Sequence, residues 1–202
     1  AAVISVAGKI QHEAVLEEVS RLLGDWQGTA NREFKQASDT QQSPRLKVHF
    51  KETEQANLCL GLPGFPTNHP DRFAHGLLNT VLGEGMSSRL FLEIREKRAL
   101  AYDVHSYVNR FQDSGSTVVY AGVDPKRSGD AVKAILSEVQ RIKETLVPEE
   151  EITKAKEFSK GRLLLGMEDS RSVAGWLGGQ ELISGHILTV DEAVAALEAV
   201  TA

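Results

Sequence analysis

The sequence predicts an α+β fold, in which a largely antiparallel sheet carries helices packed on one of its faces. Short segments with alternating apolar and polar residues come in pairs, and longer segments with helical spacing of apolar residues come in runs. Strands in pairs and helices in runs are typical of α+β domains, because parallel sheets instead alternate one strand with one helix.

Five segments are predicted to be strands. The first, AAVISVAG at residues 1–8, is short, rich in β-branched residues and closed by Gly8. In 46–50 and 58–62 every second residue is Leu, Val or Phe, which indicates half-buried antiparallel strands. YDVHSYV at 102–108 and STVVYAGV at 116–123 complete the set.

The predicted helices show apolar residues at intervals of three or four. The clearest of them is 129–146, in which six apolar residues follow one face. The helix that starts at Pro148 has acidic residues in its first turn, where the helix dipole favours them. Further helices are predicted at 12–26, at 72–83, in the charged segment that contains Arg95, at 170–186 and at 191–200.

The composition is that of an ordinary soluble globular protein, with 41% hydrophobic and 25% charged residues. The net charge is −5 and no basic stripe with interleaved aromatic residues occurs, which argues against nucleic acid as a partner. No run of eighteen apolar residues is present, so we expect no membrane span and no membrane partner. The compartment stays open, with cytoplasm or periplasm expected for a soluble bacterial protein.

Metal-binding and nucleophile motifs are missing from the sequence. The chain has six histidines but neither H-E-x-x-H nor H-x-x-E-H, so we expect no catalytic zinc site and no cofactor in this segment. No G-x-S-x-G motif occurs. The single cysteine, Cys59, lies in an apolar run and is interpreted as a small core residue.

Arg95 and Tyr102 remain as candidate site residues. In a continuous helix they would lie on nearly the same face, two turns apart; if the helix ends near Ala99, Tyr102 begins the next strand. Arginine offers a rigid fork of donors and tyrosine a hydroxyl, a combination able to hold a peptide backbone or stabilise an oxyanion. The alternative is a surface arginine paired with Glu93 or Glu96, and a core tyrosine.

The stretch LGEGMSSRLFLEIREKRALAY, residues 82–102, resembles the pitrilysin and mitochondrial-processing-peptidase family of zinc metallopeptidases, the inverzincins. It is similar to the loop and helix of the half that lacks zinc. AAVISVAGKIQHEAVLEEVSRLLGDW resembles the strand and helix before that family's interdomain linker, and the late helices are also similar. One departure is Ala99, which stands where many relatives have glycine.

The resemblance implies a division of the chain and of the chemistry. Residues 1–26 would be the strand and helix that end the preceding half, 27–45 a polar linker, and 46–202 the non-zinc domain, truncated at its C-terminus. The fold would be the two-layer sandwich of processing peptidases. Zinc and the H-x-x-E-H motif would belong to the other half, in the same chain or in a partner subunit. Arg95 and Tyr102 would grip an unfolded peptide substrate and stabilise the transition state in trans.

Two further functions compete with this prediction. One is a non-catalytic structural subunit of the respiratory-complex core-protein type, in which the pair would be dispensable. The other is a peptide-binding module without chemistry. The segment alone is predicted to be inactive under all three hypotheses. For residues 1–24 we expect either docking into its own sheet or packing against a second copy, as a homodimer.

Overall fold

The structure is a computed structural model that describes residues 2–28, 34–38 and 40–202. A short 3-10 helix spans Pro125–Arg127. The described elements, in chain order, are α1 His12–Leu23, β1 Ala56–Pro63, α2 Arg72–Gly83, a π-helix Phe91–Lys97, β2 Ala101–Arg110, β3 Gly115–Val123, α3 Ser128–Glu144, α4 Glu149–Gly166, α5 Ser170–Ser184 and α6 Val190–Glu198.

The three described strands form one antiparallel sheet in the order β1-β3-β2. β2 and β3 are consecutive and are joined by a hairpin, in which the Phe111 amide donates to the Ser114 carbonyl oxygen at 2.9 Å. β1 pairs with the other side of β3. The register shifts between Ala101 and Asp103, so Tyr102 is the extra residue of a bulge at the start of β2.

One face of the sheet carries the core, as predicted. Alternate residues of each strand point toward the helices, and Val119 of β3 is fully buried there against Leu90, Ile94 and Ile135. The opposite face of the sheet is exposed to solvent at alternate positions of β1 and β2. The α+β class with helices packed on one face is therefore confirmed.

Helix α2 approaches β2 closely at its last residue, Gly83. A Cβ atom at this position would lie 2.3 Å from Oγ of Ser106 and 2.6 Å from its backbone nitrogen. The Ser106 hydroxyl also donates to the Asn79 carbonyl oxygen, one turn earlier in α2, at 3.3 Å. Glycine at position 83 thus allows the helix to rest directly on the strand.

Two predicted strands are not strands in the structure. Residues 2–8 pair with no strand of the described chain. Residues 46–50 belong to no helix or strand, and Leu46, Val48 and Phe50 are each more than three-quarters exposed. Residues 1–8 have the β-branched composition of a strand and 46–50 its alternation, but a strand forms only where a neighbouring edge accepts its hydrogen bonds. The prediction of paired strands is wrong at these two places.

The expectation that the first strand docks into the sheet of its own chain is also wrong for residues 2–8. One residue of this segment, Ser5, instead lies against α5, where a Cβ atom at Gly178 would be 2.8 Å from Cβ of Ser5. Helix α1 forms as predicted but buries no residue. The predicted division of the chain into 1–26, 27–45 and 46–202 stays a prediction. Ala1 and, within the predicted linker, residues 29–33 and 39 lie outside the described residues.

No helix in the described ranges is both long enough and apolar enough to cross a membrane.

Candidate functional site

Arg95 and Tyr102 come together at one corner of the molecule, where the π-helix ends and β2 begins. The guanidinium carbon of Arg95 lies 5.6 Å from the centroid of the Tyr102 ring. It lies 5.0 Å from the ring of Phe91, one turn earlier in the same helix. Both distances are within the range of cation–π interactions. The side chain of Arg95 is 42% exposed and Tyr102 is 76% exposed, so both polar ends reach solvent.

A left-handed turn produces this arrangement. The helix ends at Lys97, and Ala99 has φ +47°, which reverses the chain into β2. The amide of Leu100 donates to the Ile94 carbonyl oxygen at 2.8 Å, across the wide final turn of the π-helix. Leu100 and Ile94 are both buried, so their side chains anchor the turn in the core. Of the two local geometries considered for Tyr102, the structure therefore has the one in which it begins the next strand.

The Arg95 guanidinium forms one long ion pair, with Glu96, and no hydrogen bond to that carboxylate. Oε1 of Glu96 is 3.9 Å from the Arg95 Nε, beyond hydrogen-bonding distance. Glu93 instead accepts hydrogen bonds from Lys97 at 3.0 Å and from Arg98 at 2.9 Å. These two bonds hold the pKa of the Glu93 carboxyl below its ordinary value. Of the alternative, a surface arginine paired with Glu93 or Glu96 and a core tyrosine, the structure has the long ion pair with Glu96. It does not have the core tyrosine, because Tyr102 is 76% exposed.

The exposed face of the sheet continues from Tyr102 as a polar and aromatic surface. The ring centroid of His105 lies 5.0 Å from that of Tyr120 on the neighbouring strand. The Tyr120 hydroxyl donates to Oδ1 of Asn57, on β1, at 2.7 Å. Asp103 lies 3.4 Å from His105 on the same face of β2. The surface beside the pair therefore offers donors, acceptors and ring faces to a chain lying along it.

Within the described ranges, no group of three or more His, Cys, Asp or Glu side chains could hold a metal ion. His69 and His75 both contact the ring of Phe65, at 3.9 and 5.2 Å between ring centroids, in a packed cluster rather than a metal site. Zinc therefore does not fit the residues described here.

The core role predicted for Cys59 is wrong. The residue is exposed, because alternation along β1 points Leu58 and Leu60 inward and Cys59 outward.

The sequence interpretation missed Phe91 as part of the site. Its ring lies beneath the Arg95 guanidinium and limits where that side chain can point. The spacing of Phe91 and Arg95 could have indicated this contact, since residues four apart on a helix face each other.

Comparison with known proteins agrees with this fold. The family model described as "Peptidase M16 inactive domain" matches residues 1–158. A Streptomyces coelicolor protein named as the uncharacterized zinc protease SCO5738 is 37% identical over 207 residues, which cover 98% of this chain and 45% of that protein. The chain belongs to the M16 peptidase family and matches its inactive domain. It spans about half the length of the curated relatives that it matches.

Solved structures show the same fold. A protease from Helicobacter pylori superposes with a TM-score of 0.75 at 21% identity, covering 95% of this chain and 50% of that one. A chain of complex III2 from Candida albicans also gives a TM-score of 0.75, at 18% identity, covering 96% of this chain and 48% of that one. At these identities the likeness concerns the fold alone.

Proposed function

We propose that this chain is the non-zinc-binding half of a zinc metalloendopeptidase. In this proposal Arg95 and Tyr102 bind the substrate backbone and stabilise the transition state of peptide-bond hydrolysis at a zinc site on another domain or subunit. The observation that carries the proposal is the pairing of the two side chains at one exposed corner, with the Arg95 guanidinium 5.6 Å from the Tyr102 ring and not hydrogen-bonded to a neighbouring carboxylate.

The chemistry of the pair suits a peptide carbonyl. When water adds to the carbonyl carbon, negative charge develops on the oxygen, and donors aimed at that oxygen lower the barrier. Arg95 supplies a charged fork and Tyr102 a neutral hydroxyl donor. Because Phe91 and the turn at Ala99 restrict the two side chains before substrate arrives, little reorganisation is needed during the reaction.

The remaining parts of the reaction belong to the partner in this proposal. The described residues hold no zinc ligand set, so the partner half supplies the metal, which polarises the peptide carbonyl and activates water when bound. The substrate is an unfolded peptide that lies in an extended form between the halves. Its flanking residues run over the surface formed by Asp103, His105 and Tyr120.

The test is steady-state peptide hydrolysis by the whole protein that contains both halves. Tyr102→Phe removes one hydroxyl and keeps the ring beside Arg95. We expect kcat to fall by about a hundredfold, the loss typical of an oxyanion donor. Tyr107→Phe is the matched control, since Tyr107 is half-exposed on the same strand but outside the pair.

Parent-like turnover by Tyr102→Phe contradicts the proposal. If the protein also assembles normally into a larger complex, that result favours the structural-subunit alternative. Peptide binding by the chain without its partner half, unaffected by Tyr102→Phe, favours the peptide-binding module.

A further inference from the structure

Arg127 reaches the turn between Arg95 and Tyr102 from a distant part of the chain. Its NH1 group donates to the carbonyl oxygen of Ala99 at 2.9 Å, and its NH2 group to that of Arg98 at 3.4 Å. Both acceptors lie just past the end of the π-helix. Arg127 belongs to the 3-10 helix that follows β3.

The two carbonyl groups need an external partner. Carbonyl groups at and just past a helix C-terminus find no amide donor within the helix, and the negative end of the helix dipole favours a cation beside them. Ala99 also has a positive φ, a conformation that an alanine side chain disfavours. Arg127 stabilises both features, because its two donors bind the carbonyl oxygens of Ala99, which has the disfavoured φ, and of Arg98 before it.

Arg127 is itself held in place by its own short helix. The Asp124 side chain accepts from the Lys126 amide at 2.8 Å, and the Asp124 carbonyl oxygen accepts from the Arg127 amide at 2.9 Å. Directly before Asp124, Val123 is paired with Ala101 of β2, the residue before Tyr102. The backbone of Arg127 and the turn that its guanidinium contacts therefore both lie at the same end of the sheet.

We propose that Arg127 is a positioning residue for the Arg95–Tyr102 pair. It ties the end of the π-helix, which carries Arg95, to the start of β2, which carries Tyr102, and so sets how far apart their polar ends lie. The inference rests on the proposed function of the pair. It assigns to Arg127 no contact with the substrate.

The test uses the whole protein and two variants, Arg127→Ala and Arg127→Lys. Arg127→Ala should lower kcat by about tenfold and leave KM nearly unchanged, because misplacement of a transition-state donor slows the chemical step. Arg127→Lys should lower kcat less than Arg127→Ala does, because lysine keeps the positive charge. Some loss should remain, because lysine lacks the two-pronged guanidinium that reaches both carbonyls. Lys126→Ala is the control, because it removes an adjacent exposed cation. The hydrogen bond from Lys126 to Asp124 uses the backbone amide and is kept in this variant.

A double-mutant cycle separates positioning from general stability. In the Tyr102→Phe background, Arg127→Ala should cost less than about twofold in kcat, because Arg95 no longer has a second donor relative to which it must be placed. An equal tenfold loss in both backgrounds overturns the inference, and so does parent-like kcat for Arg127→Ala. A hundredfold loss for Tyr102→Phe with no loss for Arg127→Ala overturns this inference alone. Parent-like activity of Tyr102→Phe overturns the proposed function and this inference with it.

Discussion

The Arg95 guanidinium lies over the Tyr102 ring although the first residue belongs to a helix and the second to a strand. The distance of 5.6 Å between guanidinium carbon and ring centroid depends on the turn at Ala99, which directs β2 back beside the helix. The ring of Phe91 lies 5.0 Å from the same guanidinium. The pair is thus a product of helix termination, and changes in the turn should alter both stability and activity.

Ala99→Gly tests the cost of the turn. Alanine at φ +47° is disfavoured by roughly 1 kcal/mol or more, a cost that glycine avoids. We expect the free energy of unfolding to rise by about 0.5–1 kcal/mol, since the greater flexibility of glycine in the unfolded state offsets part of the gain. Urea denaturation of the 202-residue chain measures this difference.

The matched control for that variant is Ala195→Gly, at an exposed position inside α6. There the same substitution should lower the free energy of unfolding by about 1 kcal/mol, because the helical φ suits alanine. Changes of the same sign in the two variants would show that the backbone at Ala99 is not in the left-handed region.

Two glycine-to-alanine variants test the contact between α2 and β2. Gly83→Ala places a methyl group 2.3 Å from Oγ of Ser106, and relief of that clash should cost about 1–3 kcal/mol. Gly161→Ala, inside α4, meets no atom within 4 Å and should stabilise the chain by about 0.5–1 kcal/mol. Chemical denaturation of both variants measures these changes in the free energy of unfolding. A rise for Gly83→Ala would mean that α2 does not rest on β2.

The pH dependence of stability should show the environment of His75. Burial, the Arg110 cation and His69 hold the pKa of His75 below its ordinary value. Its Nε2 shares a 2.7 Å hydrogen bond with Thr117, and its buried Nδ1 has no partner in the described part of the chain. The unfolded state then binds the proton first, so the free energy of unfolding should fall as the pH drops below about 6.5.

His75→Gln removes this titration and keeps a group able to hydrogen-bond Thr117. Urea unfolding at pH of about 7.5 and about 5.5 should show a smaller decrease for the variant than for the parent. Equal decreases in the two proteins would mean that His75 does not contribute to acid sensitivity.

The sequence predicts most of the sheet and helices because their patterns are local. The alternation at 58–62, the strand predicted at 116–123 and the helical spacing at 129–146 correspond to β1, β3 and α3. The alternation at 46–50 and the β-branched residues of 1–8 predicted strands that do not form, since a local pattern does not tell whether a partner edge is available.

The candidate site was predictable only in part. Arg95 and Tyr102 were named from their residue types, their spacing and the family resemblance, and the structure places them side by side. The contact from Arg127 to the carbonyl of Ala99 joins residues that are distant in sequence and uses a backbone acceptor, so no residue pattern reveals it. The only sign of the positive φ of Ala99 was the glycine that the resemblance gives many relatives at this position, because alanine by itself usually indicates an ordinary helix.

The most direct test of a catalytic role for this chain is a double-mutant cycle of Arg95→Lys and Tyr102→Phe in the whole protein, read as kcat for a fluorogenic peptide. We predict that each variant loses about a hundredfold, and that the double variant loses far less than the product of the two, because both donors serve one oxygen. Parent-like kcat for both single variants, with the protein folded and its zinc bound, would contradict the claim that this pair acts in peptide hydrolysis.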